Sequence, residues 1–306
     1  ASSHTGVVMS RIKVIVNPLA GRGHAGRMSP QIQQALQELG ADFDLVHTRL
    51  AGEAVDLASQ AIADGFDTVV AVGGDGTSHE VVNGIMAQSN GHPVGTLGCI
   101  PGGSGNDFAV MSGAPVDLRK ACEQIVRGET RLLDVGEVTL DGQLTRFFDN
   151  AVGIGFDGWV TYETRGVRLV RGMALYVPVV LKTIFSSIQP MRITLTTDGE
   201  SRETTIMMAV ICNGPREGGS FLVAPDAEFD DGLLDLSLTE WMPRLSMLGM
   251  VPRFIKGTHV HDPRVRIERA RSITVASDDP LMVHVDGEIL SGPAHEVRVR
   301  LLPASL

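Results

Sequence analysis

Residues Val69–Gly84 read VVAVGGDGTSHEVVNG, a strand-like run, a glycine turn and a helical pattern in immediate succession. An apolar run stops at Gly73 and Gly74, a single aspartate follows, and Gly76 leads into a pattern with helical spacing. Glycine accepts positive φ and lets another molecule approach the backbone, so the cluster marks either a tight turn or a ligand lying against peptide groups. Asp75 is the only side chain of the turn suited to chemistry.

The chain before this stretch alternates strand-like and helical runs. IKVIV is followed by SPQIQQALQELG, where Ile32, Leu36 and Leu39 recur at helical spacing. Ser29 reads as an N-cap with Pro30 at the first helical position, and Gly40 as the stop. DFDLVHT, GEAVDLASQAIADG and TVVAVGG continue as strand, helix and strand. This alternation predicts a parallel sheet with helices on both faces, whose ligands sit outside the carboxyl ends of the strands. After about Asp134 the texture changes to short alternating runs (RITLTTDG, TTIMMAVICNG, GLLDLSLTE, RVRIERA, SITVAS, LMVHVDGE, EVRVRLL), the mark of an antiparallel β-sandwich or barrel-like domain. The expected division is an α/β domain over residues 1–137 and a β-sandwich over 138–294, with 295–306 free to return to the first.

The composition narrows the function classes. A chain of 306 residues with 43% apolar content has material for two cores. Cys99, Cys122 and Cys212 form no C-x-x-C pair, which points to buried small side chains in a reducing cytosol rather than to disulfides or zinc. A net charge of −10 argues against nucleic acid as a partner. MALYVPVVL, Met173 to Leu181, is too short to span a bilayer. No signal-peptide pattern is present, Met9 is a candidate native start, and the expected location is the cytoplasm.

Two further glycine loops follow predicted strands. NPLAGRGHAGR holds G-x-G-x-x-G at Gly21, Gly23 and Gly26, yet Asn17-Pro18-Leu19-Ala20 lengthen it beyond a dinucleotide-binding turn. Arg27-Met28 stands where a Walker loop needs Lys-Ser/Thr. What survives is an amide-rich loop with Arg22 as a phosphate partner. The third loop is IPGGSGNDFAV, Ile100 to Val110. Any one of these loops alone reads best as a tight turn. Three at successive strand ends predict one cradle of backbone amides on the same sheet edge, able to hold a nucleoside triphosphate. Asp75 and Asp107 then make sense beside phosphates through bound Mg²⁺. Ser104 is a poor esterase nucleophile, because Asn106 stands where an elbow needs glycine.

The blocks VNPLAGRG, GGDGTSHEVVNGI, PGGSGNDFA, LDVGEV, NAVGIGFDG, PDAEFDDGLLDL and HVDGE occur in the order found in the soluble bacterial diacylglycerol kinases, and over nearly its whole length the chain resembles that family. These lipid kinases share a catalytic domain with sphingosine and ceramide kinases; GGDGT is shared with NAD kinases too. The resemblance implies ATP lying over Asn17, Pro18, Leu19, Ala20, Gly21 and Arg22, over Gly73, Gly74, Asp75, Gly76, Thr77, Ser78, His79 and Glu80, and over Gly103, Ser104 and Asn106. Thr48 and Ser104 would donate hydroxyls. It implies an acidic network of Asp75, Asp107 and Asp134, and a structural Mg²⁺ held by the Asp231 carboxylate with carbonyls of Glu228 and Leu233. The general base falls on Asp286, with Glu288 as a substitute. General-base help suits a lipid hydroxyl, which is a poor nucleophile until its proton is taken. The family commonly has arginine where this chain has Val110, and Arg22 stands in for a lysine of the first loop.

The implied reaction is transfer of the γ-phosphoryl group of ATP to a lipid hydroxyl, with diacylglycerol as the default acceptor and phosphatidic acid the product. An NAD kinase is the enzyme alternative, although the chain lacks a T-G-S-T-A-Y type block; a non-catalytic nucleotide- or lipid-binding regulator is the other. Arg165, Arg168, Arg171 and Lys182 among apolar residues up to Ile188 fit an interfacial helix for peripheral membrane contact, with core packing an equal reading. Leu245, Leu248, Val251, Phe254 and Ile255 divide the same way. His259 and His261, two apart on a predicted strand, read as surface histidines rather than metal ligands. A homodimer stays open.

Overall fold

A computed structural model describes residues 10–164, 173–186, 188–218, 221–290 and 292–306. Arg165, Arg168 and Arg171 lie outside these residues. The chain forms two compact units, one ending at Arg131 and taking in Leu306, the other spanning Leu132–Ser305.

The first unit runs β1 (Arg11–Val16), α1 (Ala20–Glu38), β2 (Asp42–His47), α2 (Glu53–Ala63), β3 (Thr68–Gly73), α3 (Asp75–Met86), β4 (Thr96–Pro101), α4 (Asp107–Met111) and α5 (Leu118–Arg127). The strands make a parallel sheet in the order β2-β1-β3-β4. Every residue of β3 is buried, as expected of a central strand covered on both faces. Val14, Val16, Val70, Val72 and Ile100 pack with Ile32 and Leu36 of α1 and Cys122 of α5. Burial pushes the Cys122 thiol up to about 11, so it packs as a small apolar group. All three cysteines are buried and unbridged.

The start of α1 departs from expectation. Ser29 is buried inside the helix rather than capping it, and Pro30 is internal. The break comes earlier, at Gly21, Arg22 and Gly23, whose φ values of 59°, 58° and 81° are left-handed. Burial of Ala25, Met28, Ser29 and Ile32 along one face outweighs the hydrogen bond that Pro30 forfeits. The helix ends as read: Leu39 is the C-cap and Gly40 follows with φ 71°.

The second unit contains β5 (Val135–Leu140), β6 (Leu144–Phe148), β7 (Ala151–Gly155), α6 (Phe156–Thr164), α7 (Met173–Ser186), β8 (Met191–Thr197), β9 (Glu200–Cys212), β10 (Arg216–Glu217), β11 (Phe221–Leu222), β12 (Leu234–Glu240), α8 (Arg244–Lys256), β13 (Val265–Ala270), β14 (Ser272–Leu281), β15 (Val283–Val285) and β16 (Ala294–Leu302). The main sheet has the order β13-β12-β9-β8-β14-β16-β5-β6, with β7 branching from β9 and pairing with β15. Its pairings are antiparallel. β16 lies between β14 and β5, so 295–305 belong to this unit and do not return to the first. The division falls at Leu132, ahead of the expected 138, because β5 is needed as the partner of β16.

β9 organises the layers. Its first half pairs with β8 and alternates in exposure; its second half, flanked by β12 and β7, is buried throughout. A bulge opposite Thr239/Glu240 shifts the pairing. Ile206, Ala209 and Ile211 face one core with Leu236 and Val275, whereas Met207, Met208 and Val210 face a second core with Val160, Ile184, Met247, Met250 and Phe254. The helical stretches are therefore partly core, as one of the two readings had it. Lys182 is paired with Glu163.

His259 is neither on a strand nor at the surface. It lies in a single 3₁₀ turn, Thr258–His261, fully buried, stacked on Phe254 at 3.9 Å, with Nε2 3.0 Å from the Val223 carbonyl. Gly257 closes α8 with φ 69°, and this C-cap, missed in the sequence, ends the regular pattern before the histidines. Burial lowers the His259 pKa and keeps the ring neutral.

One ion pair carries a measurable consequence. Asp235, at the start of β12, is 2% exposed and bonds Arg269 Nε at 3.2 Å; Arg269 also reaches Asp231 at 3.2 Å. Burial raises the Asp235 pKa despite the guanidinium. Removing the cation in Arg269→Met is expected to cost about 3 kcal/mol, since it strands a buried carboxylate. The urea midpoint should fall at unchanged slope, and by less as pH drops and Asp235 takes up a proton.

Candidate active site

At the carboxyl end of the parallel sheet the three glycine turns meet. Gly102 N–H donates to the Gly73 carbonyl at 2.8 Å, Asn17 N–H to Val72 at 3.0 Å, and Asp75 N–H to Gly105 at 3.2 Å. The contact between the turns after β3 and β4 is so close that a Cβ on Gly103 would lie 2.2 Å from the Gly74 Cα. A Cβ on Gly21 would lie 2.3 Å from the Gly102 carbonyl oxygen. Side chains are excluded by backbone here, and a surface of peptide groups results.

Asp75 opens α3 and ties two turns together. Its Oδ1 accepts the Phe108 N–H at 3.1 Å, and its Oδ2 is the atom a Cβ on Gly105 would meet at 2.7 Å. Asp107 begins α4 on the neighbouring turn. Asn17 Nδ2 donates to Thr77 Oγ1 at 3.3 Å, and its Oδ1 accepts from Leu19 N–H at 3.1 Å. Ser104 is exposed at the tip of its turn, where Asn106 Oδ1 accepts the Gly103 N–H at 3.0 Å. Leu19 is exposed, as is Val110.

Other residues of the set face inward. Thr48 is buried, its N–H on the Val16 carbonyl at 2.9 Å. Thr77, Ser78 and His79 are buried as well, with Ser78 Oγ 3.8 Å from Cys99 Sγ. Glu80 accepts the N–H groups of Gly52 and Ala54 at 3.0 and 3.1 Å, capping α2.

The second unit carries its own acidic groups. Asp134, 4% exposed, accepts Gly232 N–H and Ala304 N–H, each at 2.7 Å. Asp286 sits in the turn between Val285 and Glu288 with φ 47°. Its Oδ1 accepts from Asn150 and Ala151 N–H at 3.1 and 2.8 Å, and its Oδ2 from Asp149 N–H at 3.1 Å. Asp231 Oδ1 accepts the Leu233 N–H at 3.0 Å, while Oδ2 pairs with Arg269. Close by, Asp235 Oδ2 is buried without a hydrogen-bond partner. One guanidinium thus serves two carboxylates and leaves an orphaned oxygen, and the all-oxygen donors of Asp231 and Asp235 are of the kind a hard cation takes.

The sequence did not reveal a second cluster. Buried His284 on β15 has Nε2 2.9 Å from Asp157 Oδ2 and 3.0 Å from Glu217 Oε1. Asp157 and His284 stood in two of the motif blocks, but no spacing linked them, and nothing marked Glu217. The link is strand pairing: β7 sets Gly153 opposite His284, leaving room for the ring and for Asp157.

Amide-lined turns and carboxylates at one edge of a parallel sheet, followed in the chain by an antiparallel domain with its own acidic groups, are the parts of a two-domain phosphotransferase. Residues 11–138 match the diacylglycerol kinase catalytic domain, and residues 150–306 the YegS C-terminal NAD kinase beta sandwich-like domain. A diacylglycerol kinase of Bacillus subtilis is 30% identical over 92% of this chain and 90% of its own length. One from Mycobacterium tuberculosis is 30% identical over 97% and 94%. The crystal structure of a diacylglycerol kinase from Bacillus anthracis, 23% identical and covering 98% of this chain and 96% of its own, superposes with a TM-score of 0.74, which supports the fold. The chain belongs to the diacylglycerol kinase family and is a lipid kinase.

Proposed function

We propose that this chain transfers the γ-phosphoryl group of ATP to the free hydroxyl of diacylglycerol, forming phosphatidic acid. The observation that carries the nucleotide half is the meeting of three glycine turns at one sheet edge, where backbone approaches backbone. Asn17 to Arg22, Gly73 to Thr77 and Gly103 to Asn106 would lie along the phosphates, with Ser104 and Thr48 offering hydroxyls. Ser78 and His79 would support the turn from behind, and Glu80 would act through its cap on α2. Asp75 and Asp107 would face the phosphates; Asp134, in the second unit, is the third aspartate of the acidic set that the family resemblance implies.

Asp286 is the proposed base. It would take the proton of the acceptor hydroxyl while that oxygen bonds the γ-phosphorus; the bond to the β-phosphate oxygen breaks and its electron pair leaves on ADP. The three backbone N–H groups on its carboxylate fix its direction. Asp231, with carbonyls of Glu228 and Leu233, would hold Mg²⁺ in the second unit. When bound there, Mg²⁺ supplies positive charge to an acidic corner that Arg269 only partly neutralises.

Contact with the cytoplasmic face of a membrane is part of the proposal. Among the described residues no helix is long and apolar enough to cross a membrane. Neighbouring helices α6, α7 and α8 instead expose Tyr162, Leu181, Phe185 and Leu245, the last at 79%. Such side chains suit shallow insertion.

The test is transfer of radiolabelled γ-phosphate to diacylglycerol, sphingosine, ceramide or NAD in detergent micelles. Label in phosphatidic acid is the expected result. Label only in NADP replaces the proposal with an NAD kinase, and no label in any acceptor leaves a binding protein.

A further inference from the structure

The His284 cluster has the ligand count of a cation site, two carboxylates and an imidazole with their atoms within 4.8 Å of one another. The other ring nitrogen argues otherwise. His284 Nδ1 accepts the Gly287 N–H at 3.2 Å, which requires a lone pair there. The ring proton then sits on Nε2 and points at Asp157 and Glu217. Burial lowers the His284 pKa and the two carboxylates raise it further than that. Even so, an imidazolium would set Nδ1–H against the Gly287 N–H. The cluster's second proton is better placed on Glu217, whose pKa burial and the Asp157 charge push up to about 7. Asp157 stays ionised.

The Gly287 N–H belongs to the turn that carries Asp286. That turn is closed by reciprocal bonds between Val285 and Glu288 at 2.8 and 2.9 Å, and the Asp286 N–H bonds the Ala151 carbonyl at 2.9 Å. Asp286 with φ 47° and Gly287 with φ 78° are the two left-handed residues of an Asp-Gly hairpin turn. His284 adds an anchor to the Gly287 N–H of that turn from within the same strand, and Asp157 and Glu217 fix the ring.

We infer that His284, braced through Nε2–H by Asp157 and Glu217, is a positioning residue that aims the Asp286 carboxylate by holding the Gly287 N–H on Nδ1. The inference rests on the proposed role of Asp286 as base. Nothing in it requires His284 to touch either substrate.

Two substitutions separate the two ends of the ring. Asparagine places its carbonyl oxygen near the Nδ1 position and keeps the acceptor, whereas glutamine reaches the Nε2 position and loses it. His284→Gln should lower kcat about tenfold or more with KM for ATP and lipid unchanged, as a misaimed reacting group does. His284→Asn should recover most of that loss. Gly153→Ala displaces the ring and its brace without altering the histidine, because its Cβ would fall 2.1 Å from Nε2 and 2.2 Å from Asp157 Oδ2. It should lower kcat likewise, and amide exchange at Gly287 should quicken in both damaging variants.

An inactive Asp286→Asn enzyme alongside a His284→Gln enzyme with full kcat overturns this inference alone. Equal kcat losses in the Gln and Asn variants, with Gly287 exchange unchanged, do the same by leaving only a core role. Full turnover in Asp286→Asn overturns the base reading and this inference with it. Stoichiometric Zn²⁺ binding to nucleotide-free protein, lost in His284→Gln, would reassign the Nε2 proton and make the cluster a metal site.

Discussion

Asp286→Asn should lower kcat by about 10²–10⁴-fold, the range for removing a general base, with KM for ATP little changed. The amide cannot take the acceptor proton. It also changes the turn, because an NH₂ at the Oδ2 position would set donor against donor at the Asp149 N–H. A stability loss of about 1–3 kcal/mol should therefore accompany the kinetic loss. Single-turnover phosphoryl transfer and urea unfolding on the same preparation separate the two. Unchanged turnover with the stability loss present would reduce Asp286 to a backbone cap.

The second large effect is expected at Asp75. Asparagine keeps an oxygen for the Phe108 N–H, so the link between the turns survives while the charge disappears. If the carboxylate serves phosphates through their metal, kcat/KM for Mg-ATP should fall about 10²–10³-fold, roughly 3–4 kcal/mol of transition-state stabilisation. The melting temperature should stay near that of the parent. Asp75→Ala loses the oxygen as well and should add about 1 kcal/mol of destabilisation. A fully active Asp75→Asn enzyme would leave this aspartate with the mechanical task alone.

The first unit was legible because its signals are local. Buried runs ending in glycine place strand, turn and helix within a dozen residues, and parallel connection sends every turn to the same edge. The error at Ser29 arose where local cap chemistry competed with packing: Ser-Pro is a sound helix start, but Met28, Ser29 and Ile32 were needed in the core. The second unit was legible as a class and not as an arrangement. Alternation identified its strands, yet β16 joining β5, or which core each face of β9 meets, depends on partners far away in sequence. His284 shows the same limit most sharply, since its partners lie 127 and 67 residues earlier. Glu80, placed beside ATP by resemblance, has its carboxylate on the start of another helix.

That last bond couples two parts of the first unit. The segment bearing Thr48 is pinned at Glu53, which accepts the Arg49 and Leu50 N–H groups, and again at Glu80, which reaches Gly52 and Ala54 from the helix that Asp75 begins. A strut of this kind turns the neighbourhoods of Thr48 and Asp75 into one cooperative folding element. Thermal breathing at either end should drag the other open, so the hydroxyl and the carboxylate keep their spacing or surrender it together.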